Sequence, residues 1–519
     1  MTALPLLPGL QALLVAALLQ AAGAIRCDAQ YTTDWVATFD NLSGFHSGED
    51  LQVDSAGNVF VNGFFTPSNT LEHFIAGFDA NGTEQWRNGL PDSIGRAWKL
   101  FRLPDGTLLS CGDFENSSGT NDIIAMRFSS TGALLGSVVW NSPGFATGDS
   151  FSDADMDAAG NVYLAGSVTV NFQPRPGLLK VEPDGDLAWS TSLPLPANWG
   201  AFGLAIGVEC LSDTLITLWC RNGTGACGLV AFDSSGTHLW TTDLAMSSED
   251  NNHALATDGL GNAFVGGNRA QQFNVTKLDG NGTVAWSQDL SYPGLTSASS
   301  RITHVQCDAA GNTYAIGQGQ YQLSIPGPYL LLAKLSPSGA VLWTDTAMGA
   351  TFTACLNMDF ARLDGDRWLI HTGSATSVLY AYDTAGTRLY KQPWQVPGSS
   401  RTDVNAMVTD DQGHLFLAGR AYVIGSNADG FIARLSPLST VIDDGPRSTT
   451  SAAPYPVPAT DELIIPACTE HDTVVVLDVN GREVMRTTTS GRLDIRGLPP
   501  GSYVLRSVRT GARSRFVKR

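Results

Sequence analysis

One ten-residue phrase returns along most of the chain. It reads DSAGNVFVNG at 54–63, DAAGNVYLAG at 157–166, DGLGNAFVGG at 258–267, DAAGNTYAIG at 308–317 and DDQGHLFLAG at 410–419. LPDGTLLSCG (103–112) and LDGDRWLIHTG (363–373) are variants, and a worn copy, CLSDTLITLWC (210–220), carries Cys220 in the slot of the closing Gly. The closing positions 63, 112, 166, 220, 267, 317, 373 and 419 recur about every fifty residues. Such a chain builds one supersecondary unit repeatedly, and each unit buries its apolar face against its neighbours.

Each copy has a second half. FDANGTEQW (78–86), VEPDGDLAW (181–189), FDSSGTHLW (232–240), LDGNGTVAW (278–286) and LSPSGAVLW (335–343) read as strand, Gly turn, strand and Trp. Trp140 and Trp394 fall four residues late, a shift that keeps the same strand face. The segments are short, rich in Val, Ile, Leu, Phe and Tyr, and bounded by Gly, Asn, Asp or Pro, which are strand and hairpin signals. Asn-Gly and Asp-Gly supply the positive φ of tight turns. No helical periodicity is sustained. One copy is therefore about four antiparallel strands, and four-stranded units repeated around an axis make a β-propeller.

Closure supports a ring. The last copy, FIARLSPLSTVIDD (431–444), lacks a Trp after its turn, whereas YTTDWVATFD (31–40) offers an unmatched Trp35. The N-terminal strand is expected to complete the last blade and remove a free sheet edge. The prediction is an all-β chain with an eight-bladed propeller over 30–441, or seven blades if the worn copy near 210 belongs to a neighbour. The copies resemble the β-propeller repeats of secreted bacterial proteins over about 35–441. That resemblance implies a fold and leaves function open.

The texture changes after 441. DDGPRSTTSAAPYP is a polar linker, placed at 442–454, and the remainder reads as a small all-β module with ten Lys/Arg and seven Asp/Glu. Its phrases YPVPATDELIIP, VVVLDVNGREVMR, LDIRGLPPGSYVLR and RFVKR resemble the C-terminal sorting domain of the type IX secretion system of Bacteroidota. The matching residues include Tyr455, Pro456, Pro458, Asp478, Gly481, Arg482, Gly501, Tyr503 and Lys518; Val457 stands where the family usually has Asn. The resemblance implies a β-sandwich sorting domain over 455–519, engagement of the type IX machinery, passage through the periplasm, and delivery to the medium or the outer cell surface. The apolar run near the N-terminus ends in Ala22-Gly23-Ala24, which reads as a signal peptide over 1–24.

The net charge of −18 excludes nucleic acid as a partner, because phosphate binding needs clustered cations. No catalytic motif stands out, and neither a cofactor nor a metal is assigned. Asp153, Asp155 and Asp157 suggest calcium, but Gly160 falls too late for an EF-hand-like loop and no Glu closes it. Cys220 and Cys227 flank a hairpin loop and could face each other as a disulfide, with buried free thiols as the alternative. The segments entering each first strand (HSGED, GRAW, GDSFSD, NNH, SRITH, SRTDVN) gather at one mouth of a propeller, where loops on a rigid scaffold carry function. His46, Arg96, Trp98, Arg301, His304 and Arg401 are the expected ligand rim. A non-catalytic binding or adhesion protein with a glycan or protein ligand is the first reading. An extracellular polysaccharide hydrolase or lyase, with carboxylates at the channel mouth, is the alternative.

Overall fold

The computed structural model describes residues 31–39, 44–66, 71–116, 119–141, 148–193, 203–247, 254–270, 272–290, 301–308, 310–320, 328–347, 358–363, 367–372, 377–423, 428–437, 460–464, 472–478, 482–489, 492–507 and 513–518. The expected signal peptide and linker, and Tyr455, Pro456, Pro458 and Gly481, lie outside them. Every regular element among the described residues is a strand. The chain divides into two compact units, one of which is Gln30–Pro437 and the other of which contains Leu438–Arg519.

The larger unit is a β-propeller of antiparallel four-strand sets. Two sets share the 19-residue strand Glu84–Arg102, which is outermost in the first blade and innermost in the second. Two later sets touch through one backbone pair, Ser247 with Asn268. The last set joins Ser399–Thr409, Leu415–Val423 and Ala428–Pro437 to the N-terminal strand Tyr31–Phe39. Its register runs from Tyr31 opposite Pro437 to Phe39 opposite Gly430. The expected closing strand is therefore in place. The Tyr31 N–H donates to the Gln392 side chain at 2.9 Å, and Gln392 Nε2 donates back to the Tyr31 carbonyl at 2.7 Å, so the same strand is also pinned to the preceding blade.

The recurrent phrase has a local cause. In each clean copy the Asp carboxylate accepts the N–H groups two and four residues on: Asp54 from Ala56 and Asn58, Asp157 from Ala159 and Asn161, Asp308 from Ala310 and Asn312. The Asn side chain donates to the second carboxylate oxygen at 2.8 Å in all three. This is an Asx-type turn closed twice. The closing Gly is needed for a different reason. The innermost strand bulges at Glu49, Trp98 and Asn405, and each bulge presses a carbonyl onto the neighbouring strand. A Cβ on Gly63, Gly112 or Gly419 would lie 1.9, 1.9 or 2.0 Å from the carbonyl oxygen of Ser47, Arg96 or Asp403. Cys220 occupies the same slot opposite Ala205 and is fully buried.

The recurrent Trp joins blades. Trp35, Trp86, Trp189, Trp240, Trp286 and Trp343 donate their indole N–H to the carbonyls of Ala80, Ser130, Ser234, Gly280, Pro337 and Thr384, at 3.0–3.1 Å. Each acceptor lies in the Gly turn between the third and fourth strands of the next blade. Each indole also packs against that turn's left-handed Gly, as Trp240 does against Gly282. Two expected members differ. Trp140 packs against Gly177 inside the next sheet, and Arg127 takes over the turn by donating to the Asp184 carbonyl at 2.8 Å. Trp394 packs on Phe431 and donates to Thr33 Oγ1 of the closing strand at 3.0 Å. Their four-residue delay preserves the strand face but moves the ring beyond reach of the turn.

Cys220 pairs with Gly228 across the hairpin and Cys227 with Arg221, so the two thiols occupy offset register positions, form no disulfide and are both buried. In the smaller unit the strand Glu462–Ile464 pairs with Arg492–Asp494, and a four-stranded sheet runs over Asp472–Leu477, Glu483–Thr489, Gly501–Ser507 and Arg513–Lys518. Leu463, Val474, Val476, Leu493, Ile495, Leu498, Tyr503 and Leu505 share one core between them. The motif residues shape its turns. Asp478 Oδ1 accepts the Arg482 N–H at 2.9 Å, and the Tyr503 hydroxyl donates to the Pro499 carbonyl at 2.7 Å.

Two outcomes follow for the propeller. Replacing Trp240 with Phe removes one hydrogen bond and should cost about 1 kcal/mol in urea unfolding; Ala, which also strips the turn of its cover, should cost about 2–4 kcal/mol. An Ala variant unfolding at the wild-type midpoint would show that the contact is idle. Deleting 30–41 should leave the strand Ala428–Pro437 unpaired and produce aggregates in size-exclusion chromatography. A monomeric deletion variant with the parent melting temperature contradicts closure.

Candidate functional site

Strands alternate in direction, so the Asx-type and Gly turns of every blade lie at one end of the propeller. The entrances of the first strands lie at the other end, together with the joins between second and third strands. Residues that follow the closing Gly therefore share an end with residues that open the first strands. Across the last, first and second blades they form an unbroken aromatic ladder. Tyr422 meets Phe45 edge-on at 6.2 Å, Phe45 stacks on Phe64 at 6.2 Å, and Phe64 meets Trp98 edge-on at 6.5 Å.

Three guanidinium groups lie over these rings. Arg401 is 5.0 Å from the Tyr422 centroid, Arg420 is 5.1 Å from Phe45, and Arg96 is 5.3 and 5.5 Å from Phe64 and Trp98. Such cation–π contacts hold the cation in place without consuming its donors. Arg401 forms a two-pronged pair with Asp403 at 2.8 and 2.9 Å. Arg420 donates to Ser47 Oγ at 2.9 Å and lies 3.7 Å from Glu49. Asp113 Oδ2 accepts the Trp98 indole N–H at 3.0 Å. Burial pushes the carboxyls of Asp113 and Glu49 above the ordinary range, against the pull of their hydrogen bonds and nearby cations.

Of the expected rim, Arg96, Trp98 and Arg401 enter this ladder. His46 opens the first strand as expected but is buried, stacked on Phe65 at 6.0 Å, and presents no rim surface. His304 follows the bulge at Thr303 in the strand Arg301–Cys307 and is half-buried. Arg301 begins that strand, opposite Gln318. One blade, Met358–Trp394, separates these two from the ladder. The segment NNH lies outside the described residues. Sequence reasoning missed Phe45, Phe64, Asp113, Arg420 and Tyr422. The last four follow a closing Gly by one to three positions, and that offset is the signal that would have found them. The same end carries Phe172, at the tip of the hairpin between Val162–Val170 and Gln173–Val181. The residue is 79% exposed and its φ is 62°, after Asn171 at 52°. A bulky residue in the left-handed region costs on the order of 1–3 kcal/mol.

Deeper in, the first strands carry a charged cluster. Lys99 Nζ lies 3.1 Å from Asp153 Oδ1. Its charge is also felt by Asp50, Asp155 and Glu209. Several of these groups latch one blade to the next. Asp50 accepts the Leu100 N–H at 2.9 Å, Asp153 that of Val208 at 3.2 Å, and Asp155 that of Cys210 at 2.8 Å. Asn405 closes the series by donating to the Gly48 carbonyl at 2.9 Å. The three Asp of the calcium-like run thus serve separate partners, since Asp157 closes its own turn. Among the described residues no group of three His, Cys, Asp or Glu side chains is placed to hold a metal.

The fold and this end define a closed β-propeller carrying a second module built for transport. Residues 453–518 match the family described as the secretion system C-terminal sorting domain. The protein is therefore a type IX cargo, delivered through the periplasm to the cell surface or the medium, and it engages the type IX machinery through this module. Among solved structures, Sqt1 of Chaetomium thermophilum is similar with a TM-score of 0.50 and 13% identity, over 79% of this chain and 99% of that one. Raptor of Chaetomium thermophilum aligns with a TM-score of 0.41 and 10% identity over 84% of this chain, which spans only 32% of Raptor. The polysaccharide lyase Uly1 aligns with a TM-score of 0.42 and 10% identity, over 79% of this chain and 98% of that one. At these identities the likeness to Sqt1 concerns the fold alone. No curated protein matches the chain.

The charged cluster makes stability depend on pH in a definite direction. Burial, reinforced by Asp155 and Asp153, raises the Glu209 carboxyl well above its ordinary value. The folded state then binds this proton more tightly than the unfolded state. Its contribution is complete below the unfolded value and is lost as pH rises through the folded one. Scanning calorimetry should show the wild-type melting temperature falling as pH rises above the ordinary carboxyl range. Glu209→Gln should flatten that fall. An identical slope in the variant would remove Glu209 as its source.

Proposed function

We propose that this chain is an exported, non-catalytic binding or adhesion protein. On this reading residues 1–24 are removed as a signal peptide, an eight-bladed propeller over 30–441 is the working part, and 442–454 is the linker from which the sorting domain 455–519 is cut. Its ligand docks at the end where the first strands begin. The observation that supports this most is the ladder from Tyr422 to Trp98, overlaid by Arg401, Arg420 and Arg96. It combines fixed rings with fixed cations on rigid strands, the make-up of a recognition surface. The channel carboxylates speak against a hydrolase or lyase. Asp50, Asp153 and Asp155 are bound to backbone N–H groups of the next blade, so they are engaged structurally rather than free for proton transfer.

The test uses the secreted protein on glycan and protein arrays, beside Tyr422→Ala and Arg401→Ala. A ligand retained by the parent and weakened about tenfold or more by either substitution supports the face. Hydrolysis or elimination products from any polysaccharide on the array would replace this reading with the enzymatic one. Truncation after 454 should trap the chain in the periplasm of a type IX host without changing the propeller's melting temperature. Normal secretion of that truncation contradicts the address.

A further inference from the structure

Arg96 differs from the other two cations of the ladder. Arg401 and Arg420 are engaged by Asp403, Ser47 and Glu49, but Arg96 makes ring contacts only and has no hydrogen bond or ion pair among the described residues. The two carboxylates that feel its charge are occupied elsewhere. Asp113 takes the Trp98 N–H, and Glu49 takes the Ser47 hydroxyl. A guanidinium already confined by Phe64 and Trp98 loses little further freedom when it pairs, and its natural complement is a planar carboxylate held by two parallel N–H···O bonds.

Taking the binding reading above as its premise, we infer that Arg96 is the contact for an isolated sugar carboxylate, and that the ligand is a largely neutral glycan bearing sparse uronic acid. Three observations narrow the class. One unengaged cation matches one anion. A net charge of −18 repels densely charged polyanions. A protein partner would bring apolar anchors to an apolar patch. The exposed Leu134, Leu135, Leu239, Val341 and Leu342 lie where outermost strands leave the Gly turns, at the opposite end, whereas this end carries Phe172 and Val423 as two exposed apolar side chains on different blades. The ladder end instead offers rings, donors and acceptors side by side, which suits a hydroxyl-rich chain with an occasional carboxylate.

The secreted protein is titrated calorimetrically with glucuronoxylan, glucuronate-bearing arabinogalactan and xanthan, each beside its carboxyl-reduced form, and with polygalacturonate as a dense polyanion. At least one acidic form should bind about tenfold or more tightly than its reduced counterpart. Arg96→Gln should erase that ratio while leaving a cooperatively folded protein, because Arg96 makes no hydrogen bond or ion pair within the fold. Arg96→Lys should restore part of it. Binding to none of the three, equal binding of acidic and reduced forms, a preference that survives Arg96→Gln, or tighter binding of polygalacturonate would overturn the inference. If an array ligand of another class still binds and is weakened by Arg401→Ala, the face remains a binding site and only its ligand class falls.

Discussion

An indole seated on the glycine turn of the following blade is the contact on which the ring depends. Within a blade, the strand ladder satisfies the backbone. Between blades, backbone pairing among the described residues is sparse: Ser247 with Asn268, the Asp149 N–H with the Asn121 carbonyl, and the shared strand Glu84–Arg102. Cohesion must come from side chains, and the Trp contact supplies it in two ways at once. Its N–H meets a turn carbonyl, as Trp286 meets Pro337, and its face covers a Gly that has no side chain to interfere. Beneath it, apolar clusters draw on both partners. Leu109 and Ile123 of one blade pack with Val162, Leu164 and Leu179 of the next, and Phe39 and Phe416 of the last blade pack with Val59 and Phe74 of the first. Each blade is thus half of two cores.

Much of this could be read from the chain because the devices are local. An Asp with Gly and Asn three and four residues on is a turn by short-range hydrogen bonding alone. A surplus Trp35 at one end and a missing Trp at the other imply a shared blade. What escaped reading depends on contacts across blades. Arg127 replaces a Trp at the Asp184 turn because Gly136, at the position of the missing ring, has nothing within 4 Å of where its Cβ would be. His46, polar and placed at a strand entrance, is buried against Phe65. The bulges at Glu49, Trp98 and Asn405 each insert one residue into the innermost strand, and one inserted residue reverses which face every later side chain takes. Alternation in the sequence therefore misjudges which first-strand residues reach the rim.

The two charged regions divide their work. In the channel, Lys99 and its carboxylates are consumed in holding adjacent innermost strands together, which fixes their spacing where no backbone pairing does. At the ladder end the cations lie on rings, and for Arg96 those rings leave the donors available. The strained, exposed Phe172 belongs to this second region. A Gly would suit its backbone better, yet the position carries an exposed aromatic residue.

The last blade is assembled from the two extremes of the propeller, since Trp35 lies opposite Arg434. The strand Tyr31–Phe39 gains its partner only once Ala428–Pro437 exists, and closing a loop of that length carries the largest entropic cost of any pairing in the unit. The ring therefore stays open until that final strand is available, and its closure covers two sheet edges in a single step.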